Sequence, residues 1–412
     1  MADLRTIVER ELGRVDVRPF TLDTFHTRRE RARRNQRLAA GAVGISIALA
    51  IGVVASQVAI QRDRTGGAPT PRNGVIAFEG NRALFLSNPD GTGFHAAVRG
   101  VPNPPGECLI DRAHPCEFRG MTWSPDGTQL AFVFGEISAG LLGDMSIYVM
   151  DATTEEVRLL ARCPARSGDD RGDCDNGHGL SWSPDGERLV LSSGFDLFVV
   201  DAFSGELSQI TGCPTCAYEG RARHPSWAPS GELIAFSGQG SVDVVRSDGT
   251  GWRTIVGSLQ ATFDHRNGTP SVWSPDGTKL TFLATQGIYV VDADGSDLRI
   301  VVSQHSGESP GAPSWSPRGD RILYINIPEV GSRDHRAEIR VVDLDGTSDR
   351  LLYRSSCCIQ DWGDPAFSPD GTLVTFYLEV DDTWNVYVMT AAGNDVQRLP
   401  GYGEPAWQAL PR

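Results

Sequence analysis

The sequence has little positive charge outside its N-terminus and almost no lysine. The 412 residues carry a formal charge of −14. Residues 1–64 hold twelve Arg against seven acidic residues, so residues 65–412 carry −19, and Lys279 is the only lysine. A surface that binds nucleic acid needs the opposite sign of charge to neutralise phosphates. The charge distribution therefore predicts no nucleic-acid partner.

The sequence also lacks the short motifs of several common enzyme classes. It contains no P-loop, no dinucleotide-binding glycine fingerprint and no HExxH motif. We therefore expect no enzymatic activity, no catalytic residue and no metal site. The alternative is a hydrolase that processes glycan or peptide.

One long apolar run, residues 39–60, is free of charged residues. As a helix it would reach about 33 Å, enough to cross a hydrocarbon core of about 30 Å. Six Arg precede it within residues 28–37 and two follow it, which by the positive-inside rule keeps the N-terminus in the cytoplasm. The pattern predicts a single-pass protein of the cell membrane, with residues 1–38 cytoplasmic, residues 61–73 a linker and the remainder extracytoplasmic. A cleaved signal peptide is the alternative.

The cytoplasmic segment carries an apolar stripe at helical spacing, formed by Leu4, Ile7, Val8 and Leu12. Because an Arg cluster follows it, the stripe fits an amphipathic helix lying on the inner membrane surface. The alternative is a docking helix for a cytoplasmic regulator. The layout would then be similar to that of membrane-bound anti-sigma factors, although their zinc-binding signature is missing here.

Cysteine is absent from the first 107 residues, and all eight cysteines occur after the apolar run. They form four pairs of near neighbours in the sequence: Cys108 and Cys116, Cys163 and Cys174, Cys213 and Cys216, Cys357 and Cys358. An even number at short separations in an exported domain is typical of local disulfides. The connectivity stays open, and the CPTC motif at residues 213–216 is alternatively a redox motif or half of a zinc site with His224.

A phrase close to WSPDG recurs six times. Its copies occupy residues 121–132, 180–191, 225–236, 271–282, 313–324 and 365–376, at intervals of 42 to 59 residues. Repeats of this length indicate a propeller or a solenoid. Ser-Pro-Asp-Gly suits a tight turn, since Pro presets φ, Asp caps the turn and Gly accepts a positive φ. Each copy therefore predicts a β-hairpin.

A second hairpin follows each first one, as in SIYVMDA at residues 146–152 and GIYVVDADG at residues 287–295. Four antiparallel strands in about 45 residues make one propeller blade. Residues 75–99 match strands two to four of a blade, and residues 403–408 match the missing first strand. We therefore predict an all-β fold, a seven-bladed β-propeller at residues 74–408 with a Velcro closure by the C-terminal strand. Residues 409–412 form a short tail, and six blades are the alternative.

The repeats resemble those of the TolB-like propeller family over residues 74–408. The resemblance implies the fold and a role in binding or as a scaffold at the bacterial cell envelope, with an envelope protein or peptide as the partner. The sequence departs from TolB in lacking its separate α/β domain, in carrying a membrane anchor and in fitting seven blades rather than six. TolB's partnership with a peptidoglycan-associated lipoprotein is therefore not carried over. The layout is similar to that of actinobacterial membrane-anchored propellers.

The repeated turn aspartates are explained by their turns, so we assign them no chemistry. Asp292 and Asp294 resemble the start of a calcium loop but lack the downstream Glu, which leaves calcium as a weak alternative to an ordinary hairpin turn. No other cofactor is predicted.

Loops held by disulfides on a rigid scaffold are where binding usually occurs. In a propeller, the loops from the fourth strand of one blade to the first strand of the next emerge beside the central channel, and all eight cysteines fall in such loops. We predict a ligand rim around the channel mouth, formed by the positions three or four residues before the Trp site. These candidates are His178, His224, Thr269, Asp364 and Glu404.

Overall fold

The computed structural model describes most of the chain after residue 71. The described residues are 72–80, 83–102, 104, 116–138, 141–164, 174, 179–193, 196–211, 222–238, 240–257, 271–305, 308–328, 336–355, 359–363, 365–380, 383–401 and 403–410. The regular elements of these residues are strands only, and none of these residues forms a helix long and apolar enough to cross a membrane. The apolar run at 39–60 and the stripe of Leu4, Ile7, Val8 and Leu12 lie outside the described residues.

The strands are short and follow one another along the whole described part. In chain order they are β1 (Arg72–Gly80), β2 (Ala83–Ser87), β3 (His95–Val98), β4 (Cys116–Trp123), β5 (Gln129–Ser138), β6 (Leu141–Asp151), β7 (Val157–Arg162), β8 (Ser181–Trp182), β9 (Arg188–Ser193), β10 (Asp196–Asp201), β11 (Leu207–Gln209), β12 (Arg223–Trp227), β13 (Leu233–Ser237), β14 (Val242–Arg246), β15 (Arg253–Val256), β16 (Val272–Trp273), β17 (Lys279–Ala284), β18 (Gly287–Asp292), β19 (Arg299–Ser303), β20 (Glu308–Trp315), β21 (Arg321–Pro328), β22 (Glu338–Asp343), β23 (Arg350–Arg354), β24 (Ile359–Trp362), β25 (Ala366–Phe367), β26 (Leu373–Val380), β27 (Thr383–Thr390), β28 (Gln397–Leu399) and β29 (Ala406–Leu410).

These strands form seven antiparallel sheets, which we number as blades I to VII. Blade I contains β29, β1, β2 and β3, and blades II to VI each take the next four strands along the chain. In blade VII the first strand is divided into β24 and β25, which both pair with β26. The prediction of an all-β, seven-bladed propeller is confirmed, and the six-bladed alternative is wrong.

The ring is closed by the C-terminal strand. β29 pairs antiparallel with β1, with Ile76 opposite Trp407 and Ala77 opposite Ala406. The pairing covers the inner edge of β1, which would otherwise be open to edge-to-edge association. The predicted Velcro closure is confirmed.

Apolar packing follows the seams between the blades. The described residues contain seven buried apolar clusters, one at each seam. At the seam between blades I and II, for example, Ala77 and Leu84 pack with Trp123 and Phe132. Because every blade is covered on both faces by its neighbours, each strand is rich in apolar residues rather than strictly alternating.

In four of the blades the repeated tryptophan joins the blade to the one before it. The indole N–H of Trp182 donates to the carbonyl of Thr122 over 3.0 Å, and that of Trp315 donates to Val272 over 2.9 Å. In both cases the acceptor is the residue before the Trp site of the preceding blade. Trp123 and Trp273 donate to Ala406 and Ser226 in the same way, whereas Trp227 donates to Gly231 of its own blade.

The turn aspartates act as the sequence predicts. In the first copy Asp126 accepts from the Ser124 hydroxyl over 2.6 Å and from the Thr128 backbone N–H over 3.0 Å. In the fifth copy Arg318 takes the Asp position, and the Ser316 hydroxyl instead donates to Asp320 over 2.6 Å. These carboxylates hold turns at the ends of the blades and need no chemical role.

Glycines in the turns between third and fourth strands allow the blades to approach closely. Gly205 has a φ of +73°, and a Cβ added there would lie 2.0 Å from the carbonyl oxygen of Leu160 in the preceding blade.

We expect Gly205→Ala to lower the free energy of unfolding by about 2–4 kcal/mol, because both the backbone conformation and the backbone contact oppose a side chain. Urea unfolding of the purified protein measures the loss.

Gly100→Ala is the matched control for that measurement. A Cβ at Gly100 meets nothing within 4 Å. Its free energy of unfolding should stay within about 0.5 kcal/mol of the wild type. Equal effects of the two substitutions would show that the seam at Gly205 is looser than the structure indicates.

One of the predicted disulfides lies entirely within the described residues. Cys163 and Cys174 are bonded, with their Cα atoms 5.4 Å apart, and they close the connection from β7 towards β8. Cys116, the first residue of β4, is also disulfide-bonded. Cys108, Cys213, Cys216, Cys357 and Cys358 lie outside the described residues.

Candidate functional site

The two ends of the ring differ in the connections they carry. We call the end with the tight turns, such as Pro125–Gly127 and Asp201–Gly205, the turn face. The opposite end, which carries the connections from second to third strands and from one blade to the next, is the loop face. First strands of neighbouring blades contact each other and form the innermost layer. The N-terminal ends of these first strands therefore surround the channel mouth on the loop face.

Only two of the five predicted rim residues lie within the described part of the chain. His178, Thr269 and Asp364 are outside it. His224 lies in the first strand of blade IV, and Glu404 precedes the first strand of blade I, so the fold places them at corresponding positions in blades that are not neighbours. The rim as a set stays a prediction.

The side chain of His224 is buried rather than displayed on the rim. It is 7% exposed, and its φ of +50° places it in the left-handed region. Blades II and III have Gly120 and Gly179 at this position, three residues before the Trp, and both glycines also have a positive φ. His224 thus occupies a repeated bulge that favours glycine, and a residue held in such a conformation stores strain.

Glu404 belongs to a charged group at the channel mouth, between blades I and II. We call Glu79, Glu117, Arg119 and Glu404 the mouth cluster. Glu79 is near the end of β1, and Glu117 and Arg119 are at the beginning of β4, where Arg119 Nη2 donates to Glu117 Oε2 over 2.7 Å. Arg119 is thus paired with Glu117, and it lies near enough to Glu79 to act on it electrostatically.

Glu79 fits against a glycine that leaves room for its carboxylate. A Cβ added at Gly403 would lie 3.1 Å from Glu79 Oε2, and Gly403 has a φ of +85°. On the other side of the cluster, Arg119 Nε is buried and has no hydrogen-bond acceptor among the described residues. The cluster therefore combines a crowded carboxyl group with a buried donor that is not used.

The surroundings of Glu79 favour its protonated form. Burial, and to a smaller extent the nearby Glu404, raise the pKa of Glu79 to about 8, although Arg119 opposes the effect. Glu79 is therefore a neutral acid at physiological pH, beside two carboxylates of the same cluster. A carboxyl group that is kept protonated in this way can act as a general acid.

The predicted site did not include Glu79, Glu117 and Arg119, because these residues lie in strands and the predicted rim was confined to loops. One signal was present in the sequence, since Glu79 directly follows the apolar run VIAF at residues 75–78. A charged residue in such a run is unusual unless it has a partner.

Asp292 and Asp294, the residues considered for calcium, have local partners. Asp292 pairs with the ammonium group of Lys279, and Asp294 accepts from the Ser296 backbone N–H over 2.9 Å. Among the described residues no three His, Cys, Asp or Glu side chains are grouped closely enough to hold a metal ion. Calcium binding there stays a prediction.

Comparison with known proteins shows the fold. No protein-family model matches the chain, and no curated relative matches it. The chain is similar to TolB from Acinetobacter baumannii, with 17% identity, 82% of this chain and 67% of that chain covered, and a TM-score of 0.46. It is also similar to an oligogalacturonate lyase in complex with manganese, with 16% identity, coverage of 80% and 85%, and a TM-score of 0.53. The similarity to a prolyl endopeptidase has 12% identity and a TM-score of 0.56, and the chain spans about half of that protein, 49%, with 82% of its own length.

These similarities correct one expectation. Propellers of the same fold include a lyase and an endopeptidase, so the expectation that the protein is not an enzyme is wrong. That expectation rested on missing sequence motifs. A propeller gathers groups at its channel from separate blades, and such a set leaves no short motif in the sequence.

Proposed function

We propose that the protein is a membrane-anchored, extracytoplasmic propeller of the bacterial cell envelope that binds a basic segment of an envelope protein or peptide on its loop face. The observation that carries this proposal is the mouth cluster, in which Glu117, Glu404 and the protonated Glu79 occur at the channel mouth with Arg119 as the one basic group of the cluster. The net charge of −19 over residues 65–412 supports a basic partner, since complementary charge speeds encounter and selects partners.

The disulfides support the same face. Cys163–Cys174 braces a connection between blades II and III, and Cys116 begins the strand that supplies Glu117 and Arg119. Loops held on a rigid scaffold bind with less loss of conformational freedom. The apolar run at 39–60 supports a membrane anchor.

Charge reversal on the loop face tests the proposed binding. In membranes treated with a crosslinker, full-length protein carrying Glu117→Arg and Glu404→Arg should capture its envelope partner at least about tenfold less than the wild type. The reason is that the attraction between these two carboxylates and the basic partner is replaced by repulsion. Quantitative mass spectrometry of the captured proteins gives the ratio.

Glu206→Arg is the control, because Glu206 is exposed on the turn face. It should leave capture unchanged. Capture that is insensitive to the loop-face reversals, or that is lost equally with Glu206→Arg, contradicts the proposal.

The location is tested separately in intact cells, where a membrane-impermeant reagent should label Lys279 but not an epitope tag placed before residue 1.

A second candidate function follows from the protonated state of Glu79. We infer that the channel mouth can also carry out hydrolysis of a glycan, with Glu79 donating a proton to the leaving oxygen while Glu404 takes one from the attacking water. Incubation of the full-length protein with soluble cell-wall glycan fragments tests this. Chain cleavage that Glu79→Gln abolishes would support catalysis, and the absence of cleavage by the wild type would leave binding as the function of the mouth.

A further inference from the structure

Most blades carry an aromatic pair across their second and third strands. Phe132 and Tyr148 of blade II stack with ring centroids 5.8 Å apart, and Phe376 and Tyr387 of blade VII stack at 5.2 Å. Blades I and V have the same pair, as Phe78–Phe85 and Phe282–Tyr289. These rings fill space between strands two and three and the neighbouring blade.

Blade VI departs from this pattern. Its second strand supplies Tyr324, but the residue opposite Tyr324 in the third strand is Arg340. The absence of the second ring leaves a cleft of about 390 Å³ between blades V and VI. This volume is within the range of about 300–1,000 Å³ that small-molecule sites have.

One wall of the cleft is a fixed polar network. The Tyr324 hydroxyl donates to Asp349 Oδ2 over 2.9 Å, and Arg340 Nε donates to Asp349 Oδ1 over 3.2 Å. Arg340 Nη1 donates to Glu338 Oε2 over 2.8 Å, and Glu338 also pairs with Arg354. Two carboxylates are thus balanced by two guanidinium groups.

The network holds its members in fixed charge states. Burial opposes the charged form of Arg340, but its hydrogen bonds to Asp349 and Glu338 outweigh that effect and raise the pKa of Arg340. Burial also raises the pKa of Tyr324, and the nearby Asp349 adds to this. The wall therefore presents oriented donors and acceptors with no net charge at physiological pH.

The opposite wall is apolar. Val301 and Val302 of β19 line it, with Ser303 and the exposed His305 at its rim. We call the network of Tyr324, Arg340, Asp349 and Glu338 the polar fork. A ligand in the cleft would contact C–H groups on one side and the polar fork on the other.

Blade IV shows that a polar residue at this position does not by itself open a cleft. There Asp243 takes the position of the second ring, and it is only 3% exposed. It accepts from the hydroxyls of Ser241 and Thr254, and the ring of Trp252 packs against Phe236 with centroids 5.2 Å apart. Local side chains close the gap in blade IV, whereas the gap in blade VI stays open.

We propose that the cleft between blades V and VI binds a small neutral polyhydroxylated ligand, a mono- or disaccharide. A sugar ring presents C–H groups on its face and hydroxyls at its edge, which matches the valine wall and the polar fork. A charged ligand is disfavoured because each charged group of the fork already has a partner, and a buried charge without a partner is costly. This site is separate from the mouth cluster.

Saturation-transfer NMR on the full-length protein, in a detergent with no sugar headgroup, tests the proposal. Glucose, galactose, mannose and trehalose are the neutral probes, and galacturonate and glucosamine are the charged comparators. We expect at least one neutral probe to bind more tightly than both charged sugars. Arg340→Tyr, which restores the residue that three other blades have, should fill the cleft and weaken binding at least about tenfold.

Arg340→Tyr should still fold, because Glu338 keeps its pairing with Arg354 and Asp349 is part-exposed. Ser303→Trp, which blocks the rim without altering the network, should weaken binding to a similar extent. Arg162→Trp at the corresponding place in blade II is the control and should leave binding unchanged. The proposal is overturned if no neutral probe binds, if the charged sugars bind more tightly, or if Arg340→Tyr and Ser303→Trp leave binding intact. Loss of binding with Glu404→Arg instead would assign the sugar to the mouth cluster.

Discussion

Removal of residues 406–412 is expected to abolish the cooperative unfolding transition of the propeller. These residues include β29, the first strand of blade I, so their loss leaves the inner edge of β1 unpaired. The exposed edge adjoins Ile76 and Phe78, which are fully buried. We expect a loss of at least about 5 kcal/mol, which is comparable to the whole stability of many domains.

Gln408 gives a graded version of the same prediction. Its side chain is 8% exposed; Oε1 accepts from the Val75 backbone N–H over 3.0 Å, and Nε2 donates to the Gly127 carbonyl over 2.7 Å. One side chain thus links β29 to its own blade and to the first turn of blade II. Gln408→Ala leaves both backbone groups without a partner, so the free energy of unfolding should fall by about 2–4 kcal/mol in urea titration.

Two further measurements distinguish the loss of ring closure from the removal of C-terminal residues as such. Removal of residues 411 and 412 alone spares β29 and should leave the transition unchanged. Addition of a peptide of residues 403–412 to the truncated chain should restore the transition, because the peptide supplies the missing strand. A truncated protein that unfolds as cooperatively as the full chain would show that the other blades are stable without a closed ring.

The fold was predictable because six copies of the repeat carry the same local signals. Each WSPDG copy specifies one turn, and the spacing of the copies specifies one blade, so six independent copies agree. The closure was predictable for a different reason, since the fragments at residues 75–99 and 403–408 complete one repeat only together. In the fifth copy Arg318 occupies the position of the turn aspartate, and Asp320 accepts the hydrogen bond of the Ser316 hydroxyl in its place. The repeat pattern did not predict this exchange, because it depends on which carboxylate reaches that hydroxyl.

The candidate sites were less predictable because they are formed where the repeats differ. Glu79 and Arg119 are far apart in the sequence and come together only because blade I meets blade II. The cleft at Arg340 exists because one aromatic residue of a recurring pair is replaced, and the similar replacement at Asp243 produces no opening. Position in the repeat alone cannot distinguish these two outcomes; the neighbouring side chains decide them.

Glu79→Gln should stabilise the protein strongly at alkaline pH and hardly at all at acidic pH. Glu79 has a pKa of about 8 in the folded protein against an ordinary value of 4.5, so between these values the folded state retains a proton that the unfolded chain has lost. The free energy of unfolding of the wild type therefore falls by about 1.4 kcal/mol for each pH unit in this window, and by about 3–5 kcal/mol in total. Gln has the shape of the protonated acid and carries no such penalty.

Urea unfolding at pH 5, 7 and 9 measures the difference between wild type and Glu79→Gln. Glu404→Gln should give a smaller gain at pH 9, because it removes one neighbouring charge and thereby lowers the pKa of Glu79, while Glu206→Gln on the exposed turn face should give none. A constant difference across the three pH values would mean that Glu79 ionises normally in the folded protein. In that case its carboxylate would be charged at physiological pH, and the mouth cluster would retain its proposed attraction for basic segments but lose its proton donor.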